Sequence, residues 1–158
     1  MIHEEIGDLM AQARTGSSLM GLDLGTKTIG VAVSDRLLSS ATPLHTIKRV
    51  KFSKDAEALL EVIENREIGA IILGLPRNMD GSEGPRCQST RAFGRNLASL
   101  TDLPIGYWDE RLSTVAAERA LLEADTSRKR RAEVIDHVAA GYILQGALDR
   151  ARHIRTVG

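Results

Sequence analysis

The chain has 158 residues, 42% of them hydrophobic, which suits one packed domain. Its 21 Lys and Arg balance its 21 Asp and Glu, so no whole-molecule field draws in a polyanion, and any nucleic-acid binding has to come from local clusters. The single Cys87 excludes an internal disulfide, and the 4 scattered histidines lack zinc-type spacing. No run approaches the roughly 20 apolar residues of a membrane span, and Glu4, Glu5 and Asp8 replace the basic start of a signal peptide. The expectation is a cytoplasmic protein that does not enter a membrane.

In chain order, His3 to Arg14 reads as a short helix, and Thr15 to Ser18 is small and polar, so 1–18 is expected to be an N-terminal extension. Leu19 to Leu24 and Thr28 to Val33 are rich in Leu, Ile and Val and flank the turn-like Gly25, Thr26 and Lys27, the pattern of a β-hairpin. Ala41 to Lys48 contains Pro43 and suits an edge strand. Ala56, Leu59, Leu60, Val62 and Ile63 recur at helical spacing after a capping Ser53, and that helix ends before Gly69. Ala70 to Leu75 is a continuous apolar run broken by Gly74, as in a strand covered on both faces. Gln88 to Leu100 reads as a helix, Ile105 to Trp108 as a strand, Thr114 to Glu123 as a helix, and Arg131 to Arg150 as the last helix. The result is an α/β protein: a mixed five-stranded sheet with helices on both faces, spanning 19–150, and a C-terminal tail over 151–158.

Three carboxylates stand where carboxylates are costly. Asp23 interrupts an apolar strand between Leu22 and Leu24, and a charge there needs pairing or a metal, unless it serves only to bond the following turn. Asp109 and Glu110 follow the strand ending at Trp108, with Arg111 after them; alternation sends the two to opposite faces, so Glu110 is expected to face the site while Asp109 pairs locally, unless both only solvate the strand end. Asp136 shares a helix face with the small or apolar Ala132, Ala139, Ala140 and Ile143, so it either neutralises a basic partner or binds metal. If these three converge, a ligand set of oxygens alone selects Mg²⁺ or Mn²⁺ over zinc, and such a centre suits phosphodiester hydrolysis.

The loop GLPRNMDGSEGP over 74–85 lacks the Lys-Ser/Thr ending of a nucleotide-binding P-loop. Its glycines, beside Arg77 and Arg86, let it close over a phosphate backbone. Two basic runs, one of Lys48, Arg49, Lys51 and Lys54 and one of Arg128, Lys129, Arg130 and Arg131, are either solvated loops or phosphate contacts. The second is expected just before the helix that carries Asp136, where it could grip phosphates flanking the cut.

The segments DLGTKTIGVAVSD (23–35), GLPRNMDGSEGP (74–85), DERLST (109–114) and IDHVAAGYIL (135–144), in this order, resemble the YqgF (RuvX) family over nearly the whole chain. The resemblance implies an RNase H-like fold and a nuclease maturing the 5′ end of pre-16S ribosomal RNA, for which a Holliday-junction resolvase role has also been proposed. It implies that RNA, branched DNA and ribosomal precursor particles are partners to consider. Its acidic site falls on Asp23, Glu110 and Asp136, the three residues reached above from their positions. Lys27 stands where many members have arginine, which keeps the charge and loses the planar fork; with Arg77, Arg86, Arg111 and Arg128 to Arg131 it completes the expected nucleic-acid contacts. Two other readings stay open: a binding factor without catalysis, and an actin-like nucleotide-binding domain, since DLGT also resembles the phosphate loop of that superfamily. Neither RNA versus DNA nor the oligomeric state is readable from the sequence.

Overall fold

The computed structural model describes residues 1–112 and 128–157, and side chains for 1–112 and 137–154. In chain order it contains β1 (Ile2–His3), α1 (Ile6–Gln12), β2 (Ser18–Leu24), β3 (Thr28–Ser34), β4 (Ala41–Lys48), α2 (Phe52–Arg66), β5 (Ile68–Leu75), α3 (Pro85–Ala98), β6 (Ile105–Asp109), a 3-10 turn (Glu110–Leu112) and a helix, here α4 (Arg128–Val157). The strands form one sheet in the order β1-β6-β5-β2-β3-β4. β1, β6, β5 and β2 pair in parallel, while β2-β3 and β3-β4 are antiparallel.

Alternation along the strands separates two apolar layers. In β5, Ile71, Leu73 and Leu75 join the side that packs Leu59 and Val62 of α2 and Phe93 and Leu97 of α3. Ala70 and Ile72 join the other side, with Ile6 and Leu9 of α1 and Ala140, Ile143, Leu144 and Leu148 of α4. All eight residues of β5 are buried, as its apolar run predicts for a strand covered on both faces.

The mixed α/β architecture agrees with the sequence, with four differences in detail, the first being that α2 starts at Phe52 after Lys51, which puts the expected cap Ser53 inside the helix. The sheet has six strands, because Ile2 and His3 pair with Ile105 and Gly106; two residues are too few to carry a strand period. The third helix begins at Pro85, whose fixed φ and missing N–H suit a first helical position. The last helix includes both the basic run 128–131 and most of 151–158; a charged run has no apolar rhythm to reveal its helicity. The expected helix at 114–123 lies outside the described residues.

Candidate active site

β2, β5 and β6 run parallel, so their C-terminal ends share one edge of the sheet. Residues in register across a sheet turn their side chains to the same face. Asp23 is opposite Gly30, Gly30 opposite Thr46, and Gly74 opposite Trp108. With Leu22 opposite Leu73, Gly74 is the neighbour of Asp23 in that row. The row faces α4, since Trp108 belongs to the apolar layer beneath that helix.

Gly74 leaves room in the row. A Cβ there would collide with Ile143 Cδ1, and the carboxyl carbon of Glu110 lies 3.4 Å from the same position. Glu110, the first residue of the 3-10 turn, therefore folds its carboxylate back over β5, next to the strand that carries Asp23, and its Oε1 is buried. Asp23 is 3% exposed. The structure thus brings one buried and one half-buried carboxylate side chain to one face and one edge.

Asp136 is carried on α4, whose course the neighbouring residues define. The Ala140 carbonyl oxygen lies 3.2 Å from the place of a Cβ on Gly21, which shares a face with Asp23. His137 Nδ1 is 3.0 Å from Oγ1 of Thr46, a member of the Asp23 row. The backbone of α4 therefore reaches the level of this row at 136–137, while the side chain of Asp136 lies outside the described residues. So do those of Arg128, Lys129, Arg130 and Arg131, which open α4 and do not precede it. Among the described residues no three potential ligand side chains stand together.

Asp109 points the other way, toward the layer that holds Tyr107, and it organises the 76–84 loop. Arg111 donates to it from Nε (3.1 Å to Oδ1) and Nη2 (2.7 Å to Oδ2). Arg77 Nε stands 3.9 Å from its Oδ2 and Arg77 Nη2 3.6 Å from Glu83. Glu83 in turn accepts from Arg91, which also binds Glu4 and lies 4.8 Å from the Tyr107 ring centre. Arg111 Nη1 stands 3.3 Å from where a Cβ on Gly81 would sit, and Gly81 has φ +90°, a conformation that favours glycine. Burial pushes the Asp109 carboxyl up, but the hydrogen bonds from Arg111 and the charges of Arg111 and Arg77 outweigh it and hold the carboxyl below its usual range. The Arg91 hydrogen bond does the same for Glu83.

Arg77 and Arg111 are thus committed to internal carboxylates, whereas Lys27 and Arg86 are exposed. Sequence reasoning missed the parts played by Gly74, Glu83, Arg91 and the Thr46–His137 pair. The break that Gly74 makes in an apolar strand was the one signal available; the others are contacts between distant segments.

A sheet of this order, with carboxylates at the ends of its first long strand and of β6, defines an RNase H-like fold of the RuvC kind. Thermus thermophilus RuvC in complex with Holliday junction substrate superposes with a TM-score of 0.53 at 16% identity, covering 87% of this chain and 96% of that one. The yeast mitochondrial Holliday junction resolvase Ydc2 superposes with a TM-score of 0.50 at 13% identity, covering 96% and 86%. At such identities the likeness is one of fold. The chain belongs to the RuvX family, whose model, described as "RuvX: Holliday junction resolvase", matches residues 17–150. Relatives from Ruegeria sp. (strain TM1040), 72% identical over 99% of both chains, and Ruegeria pomeroyi, 70% identical over 98% of this chain and 100% of its own, are each named "Putative pre-16S rRNA nuclease".

Proposed function

We propose that this protein is a metal-dependent nuclease that hydrolyses phosphodiester bonds and acts in the cytoplasm on precursors of 16S ribosomal RNA, free or in ribosomal precursor particles. The observation that carries the reading is the buried Asp23 in the same row as Gly74, with the carboxyl carbon of the half-buried Glu110 3.4 Å from where a Cβ on Gly74 would sit. Like charges at low exposure persist together when a cation compensates them, and oxygen donors fit Mg²⁺ or Mn²⁺. Asp23, Glu110 and Asp136 would hold the metal. When bound, it supplies charge neutralisation at the phosphate and a water ionised near neutral pH. The chain's own part is geometric. Asp23 is fixed in a central strand, Glu110 by its turn and Asp136 by α4, while Asp109 with Arg111 and Arg77 holds the loop beside them. Water attacks phosphorus, one P–O ester bond breaks, and the products are a phosphate monoester and a hydroxyl. No described helix is long and apolar enough to cross a membrane, which agrees with this setting.

The family description favours a second reading, a resolvase of branched DNA. One experiment separates the two: purified protein with Mg²⁺ or Mn²⁺ is offered end-labelled precursor RNA, linear DNA and four-way junctions, beside an Asp23→Asn control. We expect cleavage of the RNA that the control abolishes, with the control no less stable without metal, because one of the repelling charges is gone. Cleavage confined to junctions would select the second reading. Cleavage by Asp23→Asn equal to that of the parent would remove the site.

A further inference from the structure

The basic run at 48–54 is not used by the site described above, yet it ends on the same edge of the sheet. β4 is antiparallel to β3, so its last residue, Lys48, lies opposite Thr28 at the edge where β2 delivers Asp23. The Arg49 N–H donates to the Lys27 carbonyl at 2.9 Å, joining the hairpin turn to the β4-α2 connection. The Arg49 side chain is consumed internally: Nη1 donates to the Gly25 carbonyl at 2.7 Å, Nε is 3.9 Å from Asp55 Oδ2, and the guanidinium lies 5.7 Å from the Phe93 ring centre. Asp55, 3% exposed, also accepts the Val50 N–H at 3.1 Å. Arg49 and Asp55 therefore balance each other and stiffen the connection.

The lysines on this frame are left with their charge. Lys27, Lys48 and Lys51 are exposed and make no ion pair with a described residue. Lys54 reaches Glu57 only at 3.9 Å, with both side chains more than half exposed, a contact worth little. In a chain of net charge zero this is a local positive shelf. Its near end, Lys48, lies two strand spacings across the sheet and two residues along β4 from the level of Asp23, roughly 12 Å.

We propose that Lys27, Lys48, Lys51 and Lys54 bind phosphates of the nucleic-acid strand on one flank of the cleaved bond, so that the strand crosses the carboxylates toward β4. The inference rests on the nuclease reading and adds a direction and a footprint to it. The phosphate backbone is common to RNA and DNA, and the shelf holds both.

The test uses the full chain carrying Asp23→Asn, with and without Lys48→Ser, Lys51→Ser and Lys54→Ser together. Binding of labelled single-stranded RNA and DNA of one sequence is followed by anisotropy across a salt series. We expect the log-log salt slope of the triple variant to fall by roughly 2–3, since each phosphate contact contributes about 0.7–0.9. Arg66→Ser with Arg95→Ser, on helix ends away from this edge, should leave it unchanged. Substrates ending at the cleaved position on the flank that meets the shelf should bind parent and triple variant alike. An unchanged slope, or a fall matched by the control pair, overturns the shelf. The nuclease reading is scored separately, on cleavage by the chain with Asp23 intact. Cleavage with an unchanged slope removes the shelf alone, and a reduced slope without cleavage keeps the shelf and removes the nuclease.

Discussion

At Gly74 an added methyl would collide with Ile143 and come within 3.4 Å of the Glu110 carboxyl. Gly74→Ala is therefore expected to destabilise the fold by about 1–3 kcal/mol, the usual range for overpacking, and to lower metal-dependent cleavage further than that loss explains. Thermal unfolding beside cleavage at a temperature where the variant is folded checks this; full activity there would mean that Glu110 does not work from above Gly74. Asp23 was legible in the sequence because a charge between two leucines in a strand demands a reason. Glu110 was expected from strand alternation, yet β6 ends at Asp109 and it is the 3-10 turn that carries the Glu110 carboxyl to the face opposite Asp109. The packing between Gly74 and Glu110 was not legible, since it joins residues of different strands.

Among the elements, the 76–84 loop is held chiefly by charge. Asp109 and Glu83 have carboxyls held below their ordinary values of 3.8 and 4.5. A depressed pKa contributes stability above the unfolded value and loses it as pH falls through the folded one. Backbone exchange protection in 76–84 should thus fall as pH drops from about 4.5 to below 3.8, while β5, held by apolar packing, keeps its protection. Asp109→Asn should produce the same loosening at neutral pH, by roughly 10- to 100-fold, the equivalent of one charged hydrogen bond. Protection in the loop that ignores both pH and this substitution would show that the ion pairs do not hold it. The partners Glu4, Arg77, Glu83, Arg91 and Asp109 span most of the chain, and no local pattern announces such a network. The start of α4 escaped for a different reason: Arg128 to Arg131 lack an apolar face, and helix spacing is read from apolar residues.

For the molecule as a whole, residues 2–12 close one side of the sheet. β1 covers the edge of β6, Ile6 is 5% exposed, and Leu9 is fully buried, 2.9 Å from where a Cβ on Gly106 would be. Deleting 1–12 should remove the burial of these two side chains, about 3–6 kcal/mol, and uncover a strand edge that invites self-association. Denaturant unfolding and light scattering would register both, and a truncated chain that stays monomeric and equally stable would show the segment to be dispensable. The pairing of Ile2 with Ile105 has a temporal side as well. During synthesis at ~5–20 residues per second, roughly 5–20 s separate the first partner from the second, and α4, which packs on α1, is made later still. Residues 2–12 are thus made well before the strand and helix they pack on, and over that interval Ile6 and Leu9 travel as open apolar surface beside a half-made protein.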